Sequence, residues 1–397
     1  MLSPLAAAAD AESPDAPYRV MVVDDSAVIR GFFRRALESD PAIAVVASVG
    51  NGRAAIDALR RDPVDVIVLD IEMPVMDGMT ALPHLLEADP TAKVVMASTL
   101  TAENADISLR ALAQGAADYI PKPTTTREIH SGPAFQRELV AKVKAHGLAR
   151  RARRGETAPG RGPRARPAAA GPAAPPPREI ALRPPSALPA AALAIGSSTG
   201  GPQALMTLFA GLGAGYAAPV FVTQHMPAAF TGILAEHIGK IAGREAREAA
   251  DGEAVQPRRI YVAPGDWHML VEPCDGGAAI RLARTAPENF CRPSVDPMLR
   301  SLAALYGRRL LCAMLTGMGH DGLEGARALV AAGGTLIAQD EATSVVWGMP
   351  GAVAAAGLCS AVLPIGRIAP RLRELTSPAA APAAEAPARP DAEGAVP

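Results

Sequence analysis

The chain has 397 residues, with 39 Lys and Arg against 40 Asp and Glu. At roughly 100–200 residues per domain, two domains are expected, and the near-neutral balance disfavours a nucleic-acid binder that works by charge. No apolar run reaches the ~18–20 residues that span a bilayer, so direct membrane insertion is not expected. The start, MLSPLAAAADAESPDA, carries acids and lacks the basic leader of a secretory signal. Cys274, Cys291, Cys312 and Cys359 show no CxxC spacing and read as buried small hydrophobes of a reducing compartment. A cytoplasmic location is expected.

Proline is unevenly placed: 17 of 38 fall within residues 1–16, 151–190 and 377–397. Such segments cannot bury a core. The expected organisation is a disordered extension (1–16), a first domain (17–146), a Pro/Arg-rich linker (147–190), a second domain (191–376) and a disordered tail (377–397). The stretch 151–190, with 8 Arg and 2 acids, reads as an extended, semi-rigid tether.

In the first domain five apolar runs, RVMVV, AVVASV, DVIVLD, KVVMAS and DYIPK, alternate with amphipathic stretches, and FQRELVAKVKAH closes the set as a helix. This predicts a parallel sheet covered on both faces, with its chemistry at the strands' carboxyl ends. Those ends carry Asp24 and Asp25, Asp70, Ser98 and Lys122. Converging carboxylates imply a hard divalent cation such as Mg²⁺. Asp70 is then a candidate nucleophile towards a phosphoryl group. Each acid taken singly reads rather as a helix N-cap, and only the set points to the cation.

As a set, VVDDSAVIR, VLDIEMPVMDG, MAST and Lys122-Pro123 resemble response-regulator receiver domains, which implies a flavodoxin-like fold. By that resemblance Asp70 takes phosphate from a histidine kinase. Asp24, Asp25, Asp70 and the backbone carbonyl of Glu72 hold Mg²⁺, Ser98 and Lys122 follow the phosphoryl group, and Tyr119 is the switch aromatic. Thr99, beside Ser98, is the alternative hydroxyl.

The second domain alternates again: AALAIG, APVFVTQ, RIYVAP, RLLCAML and GTLIAQ read as strands. An Asp-Gly-Gly turn inside WHMLVEPCDGGAAIRLAR predicts a β-hairpin. The fold class is α/β: two doubly wound parallel-sheet domains, the second with an antiparallel excursion. Its first strand enters Gly196-Ser197-Ser198-Thr199-Gly200-Gly201. That loop admits two readings, a phosphate cradle or a G-x-S-x-G turn that raises Ser198 as a nucleophile. His225 ends the strand PVFVTQ at the same edge, and Asp321 follows RLLCAML; alone it reads as an N-cap, and with a serine and a histidine as an orienter. His237 reads as a solvated or capping residue. The order Ser, His, Asp disfavours the α/β-hydrolase fold.

AIGSSTGGPQAL, VTQHMPAAFT, YVAPGDWHM, FCRPSVDPM and MLTGMGHDGLEGA resemble the catalytic domain of the chemotaxis protein-glutamate methylesterases, implying a Rossmann-like fold. The resemblance implies Ser198 as nucleophile, His225 as base, Asp321 as orienter, the Met318 backbone N–H as oxyanion contact and Thr199 as its neighbour. It further implies hydrolysis of glutamate methyl esters, and deamidation of glutamines, on methyl-accepting chemotaxis receptors. No cofactor is expected for the esterase. A receiver fused to an inactive docking module is the alternative.

Overall fold

The computed structural model describes residues 16–99, 101–122, 133–154 and 180–376. The extension before residue 16, Pro123, the central linker and the tail after 376 lie outside them. Two parallel sheets organise the chain. The first contains β1 (Tyr18–Val23), β2 (Ile43–Val49), β3 (Val66–Asp70), β4 (Lys93–Ser98) and β5 (Asp118–Pro121), in the order β2-β1-β3-β4-β5. Side chains alternate across it: Val20, Val22, Val66 and Val68 enter one apolar layer, while Met21, Val23, Ile67 and Leu69 enter the other. Helices α1 (Ala27–Leu37), α2 (Gly52–Arg61), α3 (Gly78–Ala88), α4 (Ala102–Ala113) and α5 (Pro133–Arg154) cover both faces.

Two features of the predicted linker are corrected. The helix expected to end near His146 runs on to Arg154. Arg150 and Arg151 are buried there, each 2.9 Å from a carboxylate oxygen of Asp65, and Arg150 also reaches Asp89 at 2.8 Å. Composition marks these arginines as solvated; the buried Asp65 and half-buried Asp89 of the first domain give them partners instead. Residues 180–190 are likewise not a free tether. Arg183 N donates to Cys359 O, Ser186 N to Thr335 Oγ1 and Ala190 N to Leu375 O, binding the segment to the second domain.

The second sheet is also parallel, in the order β14-β13-β12-β6-β7-β9-β8. Its members are β6 (Ala192–Ser197), β7 (Val220–Gln224), β8 (Ala246–Glu248), β9 (Ile260–Val262), β12 (Leu310–Met314), β13 (Thr335–Gln339) and β14 (Ala361–Leu363). The hairpin predicted from Asp-Gly-Gly forms as β10 (His268–Cys274) and β11 (Gly277–Ala283). One face is covered by α6 (Gly201–Leu212), α7 (Ala228–Ala242) and α11 (Ile365–Thr376). The other carries α8 (Val295–Tyr306), α9 (Leu323–Ala331) and α10 (Met349–Ala355). The short edge strands β8 and β14 have only three residues each, too few to leave a periodic signal.

The two domains share one continuous apolar cluster. Helix α4 of the first packs on α7 of the second, and the Tyr119 ring stacks on Phe230 with centroids 4.5 Å apart. His237 Nε2 lies 3.1 Å from Asp106 Oδ1, and Gln203 Nε2 donates to the carbonyls of Leu112 and Ala116. His237, read from sequence as solvated or capping, faces the other domain.

Candidate functional site

Two clusters form at the carboxyl ends of the two sheets. In the first, Asp24 follows β1, Asp70 ends β3 and Lys122 follows β5. The Lys122 ammonium sits 2.5 Å from Asp70 Oδ1 and 2.7 Å from Asp24 Oδ2. Neither Asp24 nor Asp25 caps α1; Ser26 does, and its own N–H donates to Asp24 Oδ1. Burial pushes the Asp70 carboxyl up to about 6 against the pull of Lys122.

A cavity of about 360 Å³ opens here, lined by Asp25, Asp70, Glu72, Ser98, Thr99 and Lys122 among others. Ligand oxygens of Asp24, Asp25 and Asp70 lie within 4.8 Å of one another. Asp24 Oδ2 is buried with the Lys122 ammonium as its ionic partner and no hydrogen-bond donor of good geometry. Hard oxygen donors with an under-satisfied buried atom fit a divalent cation. Both candidate hydroxyls line the cavity. Ser98 Oγ accepts from Ser108 Oγ at 3.0 Å, and Thr99 Oγ1 accepts from Asn104 at 2.6 Å. Tyr119 is buried away from this cavity, with the Lys142 ammonium 4.8 Å from its ring centroid.

In the second cluster, β6 delivers Ser197 and Ser198 to the sheet edge with different fates. Ser197 is fully buried and donates to Gln224 Oε1 at 2.7 Å, whereas Ser198 is half-buried. Gln224, at the end of β7, also donates to the carbonyls of Ser198 and His225, tying the two loops together. Gly200 adopts φ +74°, and a Cβ there would approach Val345 to 2.5 Å, so the turn after Ser198 requires glycine. The loop after β12 comes equally close: a Cβ on Gly317 would stand 2.9 Å from Ser198 Cβ.

His225 Nε2–H donates to Asp321 Oδ2 at 2.7 Å. Asp321 is buried and does not cap α9, whose N-cap is Gly322. Its Oδ1 accepts from Ser294 Oγ at 2.6 Å, Asn289 Nδ2 at 2.8 Å and Gly322 N at 3.0 Å, and its Oδ2 also accepts from Val295 N at 2.7 Å. Burial opposes its ionisation, but His225 and these donors outweigh that and hold the carboxyl well below the usual range. The same pairing raises His225 against the opposing effect of burial.

Ser198 is not hydrogen-bonded to His225. The second ring nitrogen, Nδ1, instead faces Cys291 Sγ at 3.4 Å. The Met318 and Thr199 N–H groups make no backbone hydrogen bond among the described residues. Sequence reasoning missed Cys291, Asn289 and Ser294. Cys291 is half-buried and Cys274 exposed, so only Cys312 and Cys359 are the buried thiols expected. The signature FCRPSVDPM holds Cys291 and Ser294, with Asn289 just before it, but spacing cannot reveal that they converge on His225 and Asp321.

Family models match both halves: a response regulator receiver domain over residues 20–132 and a CheB methylesterase over residues 193–372. The protein-glutamate methylesterase/protein-glutamine glutaminase 1 of Paramagnetospirillum magneticum is 57% identical over 90% of this chain and 96% of its own length. The protein-glutamate methylesterase/protein-glutamine glutaminase of Azospirillum brasilense is 59% identical over 92% of this chain and 94% of its own. The solved catalytic domain of the Thermotoga maritima CheB methylesterase matches at 39% identity and a TM-score of 0.46, over 47% of this chain and 100% of that one.

Proposed function

The chain belongs to the protein-glutamate methylesterase/protein-glutamine glutaminase family, and on that footing we propose how its residues carry the reaction. It is a response regulator whose second domain hydrolyses glutamate methyl esters, giving adaptation in chemotaxis signalling. The substrate we assign is a methylated glutamate on the cytoplasmic helices of a chemoreceptor, with glutamine deamidation as a second reaction. The chain then works in the cytoplasm.

Ser198 Oγ attacks the ester carbonyl while His225 takes its proton. Because Nε2 is committed to Asp321, Nδ1 is the receiving nitrogen. Cys291 gives up that nitrogen when substrate aligns Ser198, since catalytic hydrogen bonds tighten only in the complex. The Met318 and Thr199 N–H groups hold the oxyanion. Methanol leaves with the proton from His225. Water, deprotonated by His225, then cleaves the acyl-serine to free glutamate and Ser198. Deamidation follows the same course with ammonia leaving.

In the receiver, Asp70 attacks the phosphoryl group of a histidine kinase. Asp24, Asp25, Asp70 and the Glu72 carbonyl would hold Mg²⁺, which neutralises the charge gathered there when bound. Lys122 and Ser98 then engage the phosphoryl oxygens. The route to the esterase is Tyr119: its stack on Phe230 reaches α7, the helix that directly follows His225.

The buried Asp321, with five hydrogen bonds fixing the base at the edge where Ser198 emerges, is the observation that carries this reading. It also disfavours an inactive docking module. The test is methanol release from methylated receptor, with and without a small phosphodonor. Wild type is activated by the phosphodonor and Asp70→Asn is not; equal activation of both overturns the switch.

A further inference from the structure

Phe290 is the most exposed large apolar residue among those described, at 103% of its reference area. It lies in a left-handed backbone conformation, φ +64°, directly after Asn289 at φ +52°. Non-glycine residues in that region are uncommon, and two in succession carry strain that the surroundings must hold. What holds them is visible on both sides. Glu288 and Cys291 exchange backbone hydrogen bonds across the arch, Asn289 donates to Asp296 and Asp321, and the Cys291 thiol meets His225.

The arch therefore presents an aromatic ring to solvent while its two neighbours grip the base and its orienter. The loop bearing the exposed Trp267 is joined to it, since Asp266 N donates to Arg292 O and the Arg292 guanidinium returns to Asp266 Oδ1. Met318, also partly exposed, stands on the loop beside Ser198. Exposed apolar residues scattered singly need no explanation; these three stand on loops tied to one another or to Ser198, His225 and Asp321. The receiver leaves Phe290 uncovered.

We propose that Phe290 is a docking residue for the substrate helix, seating its apolar face so that the esterified side chain enters beside Ser198. This rests on the methylesterase reading above. Large aromatics supply contact area at little entropic cost and dominate recognition surfaces of this kind. Anchoring at Phe290 also places substrate against the segment that carries Asn289 and Cys291.

The experiment is steady-state methanol release by the full chain on methylated receptor, comparing wild type, Phe290→Ala and Phe290→Trp. Phe290→Ala is expected to raise KM about tenfold with kcat within twofold, and Phe290→Trp to restore KM. Thermal melting of all three should coincide, because the ring buries nothing. An unchanged KM in Phe290→Ala overturns the proposal, as does a loss confined to kcat. A wild-type chain that releases no methanol instead overturns the underlying reading.

Discussion

The rings of Tyr119 and Phe230 stack 4.5 Å apart at an interplanar angle of 18°, joining the receiver to the helix that follows His225. Beside them His237 and Asp106 form a partly exposed pair at 3.1 Å. Magnitudes separate the two contacts. Stacked aromatics contribute about 0.5–1.5 kcal/mol beyond area burial, whereas exposed ion pairs contribute about 0–1 kcal/mol. Phe230→Leu should therefore raise methanol release without phosphodonor about two- to tenfold and shrink the further activation. Asp106→Asn should change either by less than Phe230→Leu does. The reverse ranking would remove the aromatic stack from the coupling route.

Asn289 spans two buried carboxylates, Asp296 and Asp321, at 2.8 Å each. Its amide nitrogen bridges these two carboxylates, which makes it a positioning group for Asp321. Hydrogen bonds to charged groups are worth about 1.5–3 kcal/mol. Asn289→Ala should thus lower kcat roughly 10–100-fold with little change in KM. Asn289→Asp, which adds a third acid, should lose more. A KM effect alone would assign Asn289 to substrate binding.

The pH dependence of kcat/KM should report on Cys291. Burial disfavours the His225 imidazolium, but Asp321 and then Cys291 more than compensate and raise its pKa. A base must be neutral to accept the serine proton, so activity rises as pH increases through that pKa. Cys291→Ala removes one of the raising contacts, and the rising limb should move to lower pH. A limb that stays in place would mean the thiol does not engage His225 in solution.

Asp118 illustrates linkage in the receiver. Burial alone would raise its pKa, yet the Lys142 ammonium and the His146 ring hold it at about 2. A depressed carboxyl stabilises the fold above its unfolded value of about 3.9, and that contribution is lost as pH falls through about 2. The shift corresponds to about 2–3 kcal/mol. Asp118→Asn should melt well below wild type at pH 6, with the gap closing towards pH 2. A gap independent of pH would show that packing, not charge, is what the substitution removes.

The central strands of both sheets were legible from periodicity because buried parallel strands read as continuous apolar runs; Asp70 and His225 stand where such runs end, and Asp321 lies in the loop after one. Motif spacing also separated Ser198 from Ser197, and burial now gives a physical reason: the Ser197 hydroxyl is spent on Gln224. What remained illegible depends on long-range partners. Arg150 and Arg151 read as solvated linker because Asp65 is more than eighty residues away. Cys291 read as core because nothing local signals that His225, 66 residues earlier, faces it. The same holds for Asn289, whose two acids arrive from α8 and from the loop before α9.

The thiol beside His225 makes one comparison decisive: kcat for methanol release by Ser198→Ala and by Cys291→Ala, each with the phosphodonor present. With Ser198 as the proposed nucleophile, Ser198→Ala should lose on the order of 10⁴-fold or more. Cys291→Ala should keep kcat within about threefold, because the thiol only faces the base. Full activity in Ser198→Ala, with the loss appearing in Cys291→Ala, would contradict that assignment.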